Sequence, residues 1–118
     1  MKMLLKSVIS FLAALTLCAC NKSVENPTPK NSVLIDVRSA EEYNSGHLRG
    51  AINIPHNEIA GKISSFVPER STNIKLYCRS GRRVKIAMEA LQKQGYKNLE
   101  NLGGIDEAKT QLALPVVK

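Results

Sequence analysis

The most constraining feature of this chain is a seam at Cys78, where one structural period gives way to another. Ile74-Lys75-Leu76-Tyr77 is a short, largely apolar run of strand character that leads directly into the cysteine. Val84, Ala87, Met88 and Leu91 then fall at i, i+3, i+4 and i+7, one face of a helix starting near Val84. Between the two patterns lie Arg79-Ser80-Gly81-Arg82-Arg83. A group at the carboxyl end of a strand sits where open α/β sheets bind ligands. Helix N-termini, turn N–H groups and guanidinium groups all favour a sulfur anion there. A cysteine that merely finishes a core strand packs as a small hydrophobe. It needs neither Gly81 nor three neighbouring arginines. The stretch reads as an active site.

The same alternation runs through the chain from residue 33. Val33-Leu34-Ile35 reads as a buried strand leading to Asp36-Val37-Arg38. Ser39 and Glu42 form a capping-box pair for a short helix ending at Gly46, and His47-Leu48-Arg49-Gly50 turns the chain. Ala51 to Ile54 is a second strand stopped by Pro55. Asn57 is placed to cap a helix with inner face Ile59, Ile63 and Phe66, and Pro68 lies beyond its end. After the Cys78 segment, Gly95 stands at a helix C-cap, with Met88 in the core. Asn98 to Leu102 reads as a fourth strand, Gly103-Gly104 as a turn and Ile105 to Leu112 as a last helix before Pro115. Strands alternating with helices predict an α/β fold, a mainly parallel sheet of about four strands flanked by helices.

Residues 1–19 read as an export signal. Lys2 and Lys6 precede an apolar run, Val8 to Leu17, too short for a comfortable membrane span or a retained anchor. Leu17-Cys18-Ala19-Cys20 resembles a bacterial lipobox, with cleavage before Cys20 leaving that cysteine as the lipid-bearing N-terminus. Lipidation at Cys18 would require cleavage after Leu17, which is too large. Ordinary cleavage after Ala19 would want a small residue at position 17. Residues 20–32 then form the lipidated cysteine and a polar, proline-bearing tether, and residues 33–118 the folded domain. The tether's twelve or so residues reach at most ~40 Å. The expected location is the periplasm, anchored by lipid to a membrane. In a Gram-negative host this is the outer membrane, because Asn21 is not the Asp that retains lipoproteins at the inner one. With Cys18 removed and Cys20 blocked, Cys78 is the one free thiol, without a partner for an internal disulfide.

The formal charge of +7 raises the question of nucleic acid. Aromatics are only 4% of residues and Trp is absent, so stacking platforms are scarce, and no nucleic-acid motif is present. Outside residues 79–85 the basic residues are scattered, which favours a small anionic substrate.

Several blocks together resemble the rhodanese-like domain family. They are Asp36-Val37-Arg38, Glu42-Tyr43, Gly46-His47-Leu48 and Gly50-Ala51-Ile52-Asn53-Ile54-Pro55, followed by Tyr77 to Arg83, Gly95-Tyr96 and Leu102-Gly103-Gly104. The resemblance covers nearly all of residues 33–118 in order. It implies a small sulfurtransferase that takes sulfane sulfur from thiosulfate or a similar donor, and a monomer is the expected state. That sulfur passes to cyanide or a thiol acceptor through a Cys78 persulfide, with no metal and no organic cofactor. It also implies substrate contacts from Arg79, Ser80, Gly81, Arg82 and Arg83. Three positions depart from the pattern. Val84 stands where Ser or Thr is common, no aromatic follows the Gly-Gly pair, and the first strand and helix are missing.

Other chemistries fit less well. Cysteine phosphatases and arsenate reductases place an arginine six positions after the cysteine, whereas here position 84 is Val and the last arginine is at 83. A non-catalytic module on a lipid anchor would not require the cysteine that this loop keeps. His47 and His56 invite a Cys–His pair, but sulfur transfer needs no base. His47 is expected to hold its turn, and His56 to lie at the surface or a pocket rim. Asp36 and Arg38 are expected to form an internal ion pair, and Glu41 and Glu42 to serve the helix start.

Overall fold

The sheet is laid out around its first strand. In the computed structural model, described over residues 32–118, β1 (Ser32–Asp36) pairs in parallel with β3 (Ile52–Asn53) on one side and β4 (Asn73–Cys78) on the other. β5 (Leu99–Gly104) continues the sheet beyond β4, giving the order β3-β1-β4-β5 with every pairing parallel. The helices are α1 (Ala40–Ser45), α2 (Ile59–Phe66), α3 (Arg82–Lys93) and α4 (Ile105–Leu112). The α/β class and the four parallel strands of the main sheet are those expected.

Strand periodicity divides the core in two. Ile74, Leu76 and Cys78 point to one face with Ile35, where Ile59 and Ile63 of α2 and Val84, Ala87 and Leu91 of α3 cover them. Tyr77 points to the other face, with Leu48, Leu102 and Ala108 of α4. Val84 is fully buried in the first cluster, so this position is filled by core packing.

Chain order fixes where a ligand belongs. After β1 the chain forms β3 on one side, then crosses to β4 on the other. The carboxyl ends of β1 and β4 therefore flank the point where strand order reverses, the crevice that open α/β sheets use for ligands. Cys78 ends β4 at that point.

Four local expectations are corrected. His47–Leu48 is not simply a turn but a strand, β2, paired antiparallel with β6 (Val116–Val117) in a second, two-stranded sheet. Its partner lies some seventy residues on, beyond the reach of any local signal. Glu58 rather than Asn57 occupies the N-cap of α2, with no side-chain capping bond. Phe66 is 48% exposed and Val67, 2% exposed, takes the inner position after Ile59 and Ile63. Val67 is the C-cap of α2, with φ −135° and ψ 80°, so its burial comes from the chain leaving helical geometry there and not from the helical spacing. Finally, Gly103-Gly104 completes β5 instead of turning away from it, and Gly104 sits beside Cys78 in register.

Candidate active site

The loop from β4 to α3 starts at a fully buried thiol and ends in the first turn of a helix. Gly81 makes this possible. Its φ of 89° is left-handed, a conformation that costs a residue with a Cβ. That geometry turns the Gly81 N–H back onto Cys78 Sγ at 2.9 Å. Arg79, Ser80 and Arg82 are exposed on the outside of the loop, and Gly81 is buried beneath them. All six residues expected at the site, Cys78 to Arg83, are therefore brought together.

The far wall is the end of β5. A Cβ on Gly81 would lie 3.2 Å from Gly103 Cα, and one on Gly104 would meet the Arg79 carbonyl group, 3.0 Å from its carbon. Asn101 Nδ2 donates to the Gly81 carbonyl at 3.4 Å, and the Gly103 N–H donates to Asn101 Oδ1 at 2.8 Å. Glu107 Oε1 accepts from the Gly104 N–H at 2.8 Å, which fixes the start of α4. Ser80, Arg82, Lys85, Asn101 and Gln111 line an open cleft of about 450 Å³ beside the loop.

On the other side, α1 reaches the loop through Glu42. Its carboxylate accepts from Arg83 Nη1 at 2.8 Å and Nη2 at 3.1 Å, a two-pronged pair. Arg79 Nη1 stands 3.9 Å from Glu42 Oε2. The capping box expected at Ser39 holds the carboxylate from behind, with the Ser39 N–H and Oγ donating to Oε1 at 3.0 and 3.1 Å. The Arg83 hydrogen bonds, helped by those from Ser39, pull the Glu42 carboxyl down to about 2, and the same Arg83–Glu42 bonds raise the Arg83 guanidinium. Glu42 was legible as a cap residue. Its contact with Arg83, 41 positions away, has no local signal, and neither do the contacts of Asn101 and Gly104.

Behind the site, Asp36 and Arg38 form the expected internal pair. Arg38 Nη2 meets Asp36 Oδ2 at 2.7 Å and the Gly46 carbonyl at 2.6 Å, while Nε and the backbone N–H also donate to Asp36. Burial lowers the Arg38 guanidinium, but the Asp36 hydrogen bonds and charge outweigh it and leave a net rise. His47 stacks on Tyr43 with ring centroids 3.6 Å apart, and its Nδ1 meets the Tyr43 carbonyl at 2.9 Å, a structural role. Among the described residues no histidine hydrogen-bonds to Cys78 Sγ, and no cluster of His, Cys, Asp and Glu could hold a metal ion.

Together these features define a class: a small α/β domain presenting a buried thiol beneath a basic, amide-lined loop at a sheet's switch point. The sequence profile of the rhodanese-like domain matches residues 21–111, and the chain belongs to that family. It is 42% identical over 84 residues to the thiosulfate sulfurtransferase PspE of Escherichia coli, covering 71% of this chain and 77% of that one. A solved E. coli rhodanese with anions superposes with a TM-score of 0.67 at 40% identity, covering 74% of this chain and 98% of that chain. The rhodanese-like domain of the Alr3790 protein from Anabaena superposes at 0.64 with 26% identity, covering 73% and 98%.

Proposed function

We propose that the protein is a thiosulfate sulfurtransferase that carries sulfane sulfur as a persulfide on Cys78. The observation that carries this reading is the Gly81 N–H directed at Cys78 Sγ within a loop bearing three arginines. A dianionic donor must approach an anionic sulfur, and fixed amides and cations offset that repulsion without reorganising. The E. coli relatives support the assignment, one named for thiosulfate and one solved with anions.

In the first half-reaction the Cys78 thiolate attacks the outer sulfur of thiosulfate. A new S–S bond forms, the donor's S–S bond breaks, and sulfite leaves with the electron pair. In the second, cyanide or a thiolate attacks the outer persulfide sulfur, forming thiocyanate or a new persulfide and returning the Cys78 thiolate. Arg79 and Arg82, exposed at the rim, receive the anion, and the backbone of Ser80 and Gly81 surrounds the transferred sulfur. Arg83, engaged by Glu42, shapes the rim. No metal or organic cofactor takes part.

The same reading places the domain outside the cytoplasm as a monomer. Residues 1–19 act as the signal, Cys20 carries lipid, and the segment to residue 32 tethers the domain to the periplasmic face of a membrane. Cys20 and its neighbours lie outside the described residues.

Mass spectrometry of reduced protein after thiosulfate treatment tests the proposal. The expected result is a gain of one sulfur, localised to Cys78, absent in Cys78→Ser and removed by cyanide. A Cys78 that takes up no sulfur would indicate a binding module. Cleavage of aryl phosphates with indifference to thiosulfate would indicate a phosphatase.

A further inference from the structure

Glu42 differs from every other acidic group at this site because it faces two of the loop's three arginines. It cannot swing aside freely. Ser39 holds Oε1 through two hydrogen bonds, and α1 is pinned at its far end by Arg38, which donates to the Gly46 carbonyl. Arg83 spends both terminal nitrogens on this carboxylate, and its side chain is only 28% exposed. Arg79 is 77% exposed and has only the longer contact, so its guanidinium remains able to turn toward a ligand. Arg82 is exposed and has no acidic partner among the described residues.

We propose that Glu42 is a specificity-determining residue that holds Arg83 away from the donor and so tunes the site between dianionic and monoanionic sulfur donors. The inference rests on the sulfurtransferase reading. Glu42 places a negative charge beside the loop, and that charge repels each unit of donor charge. A dianion such as thiosulfate feels the repulsion twice, and a monoanion such as an aryl thiosulfonate once. Removing the charge while keeping the shape frees the Arg83 fork and favours the dianion more.

The test compares the full-length protein with its Glu42→Gln and Glu42→Asp variants, using thiosulfate and an aryl thiosulfonate as donors. With Gln, KM for thiosulfate should fall relative to KM for the thiosulfonate by about fivefold, the size of one unit charge acting at about 4 Å with water-like screening in this open cleft. With Asp, which keeps the charge, the ratio should stay near that of the parent protein. Loss of kcat/KM by the same factor for both donors would mark Glu42 as merely structural and overturn the inference. So would an unchanged KM ratio in Glu42→Gln. If Glu42→Gln fails to fold, Arg83→Gln, which leaves the Glu42 carboxylate without its countercharge, should raise KM for thiosulfate relative to KM for the thiosulfonate by about fivefold; an unchanged ratio would overturn the inference. Failure of the parent protein to use either donor would instead remove the functional reading itself.

Discussion

Gly104 lies against the Arg79 carbonyl so closely that no side chain fits between them. A Cβ built there would stand 3.0 Å from the carbonyl carbon and closer still to the oxygen. Both partners are backbone, so relief requires the loop or the end of β5 to move. The loop's position is thus set from outside by a glycine 26 positions after Cys78. Gly104→Ala should lower kcat/KM for thiosulfate roughly tenfold or more through misplacement of the loop. It should also cost about 1–3 kcal/mol of stability from overpacking. Gly61→Ala is the matched control, because a Cβ there meets nothing within 4 Å in the α2 helix. That change should leave activity intact and raise stability by about 0.5–1 kcal/mol. Thermal melts and donor kinetics on the two variants check both statements, and equal behaviour would refute the packing argument.

Acid should loosen the link between α1 and the loop. The Glu42 carboxyl is pulled from the ordinary 4.5 to about 2 by Arg83, then by Ser39. Because the folded value is the lower one, the stabilisation is fully present above about pH 4.5 and is lost as pH falls through 2. With the Glu42 side chain 25% exposed, it should amount to only about 1–2 kcal/mol at neutral pH. The melting-temperature gap between the parent protein and Glu42→Gln should therefore stay constant from pH 8 to about 5 and shrink steadily below about 4.5. A gap independent of pH would show that Glu42 acts through shape alone.

What could be read from residue order was whatever depends on neighbours in sequence. The seam at Cys78, the Ser39–Glu42 cap, the Asp36–Arg38 pair and the Gly95 stop all join residues within a few positions. Residues joined across the fold were less legible. His47–Leu48 becomes a strand only because Val116–Val117 arrives beside it, and Glu42 finds Arg83 only because β1 and β4 are adjacent. Helix boundaries show the same limit. The apolar pattern of α3 begins at Val84, but the helix begins at Arg82, since its first turn faces the loop and not the core. On α2, the spacing of four and three put Phe66 on the inner face, whereas the chain leaves helical geometry at Val67, the C-cap, and it is Val67 that is buried.

The Asp36–Arg38 pair should be far more important to folding than its distance from Cys78 chemistry suggests. Asp36 is fully buried, and all its ionic partners come from one guanidinium. Arg38→Ala would leave that carboxylate buried without a countercharge, held only by the backbone N–H of residue 38, at a cost of about 3–5 kcal/mol. For a domain of this size the melting temperature should drop on the order of 15 °C or more. Arg38→Lys should lie between, because a lysine cannot grip Asp36 with two nitrogens and also reach Gly46. Replacing both residues, Asp36→Asn with Arg38→Met, should recover part of the loss, since no unpaired charge remains. The exposed Lys62–Glu58 pair gives the scale for comparison, with Lys62→Ala costing no more than about 0.5 kcal/mol. Similar melting losses for Arg38→Ala and Lys62→Ala would sink the distinction.

Tyr77 precedes the cysteine but serves the opposite face of the sheet. Its hydroxyl accepts the Leu48 N–H at 3.0 Å, tying the two-stranded sheet of β2 and β6 to the end of β4. Burial raises the Tyr77 phenol well above its ordinary value, despite the Leu48 hydrogen bond, so it stays neutral through the working range and adds no pH dependence. Tyr77→Phe removes the acceptor and leaves a buried amide N–H without a partner, which should cost about 1–3 kcal/mol. The loss should appear locally before it appears globally. Hydrogen exchange at Leu48 should accelerate, followed by exchange at Val116 and Val117 as the short sheet opens. Sulfur uptake by Cys78 should persist at a temperature where the variant is folded, because alternate strand residues point to opposite faces. Unchanged protection at Leu48 would mean that β2 is held by β6 alone, and the two sheets would then be coupled only through packing.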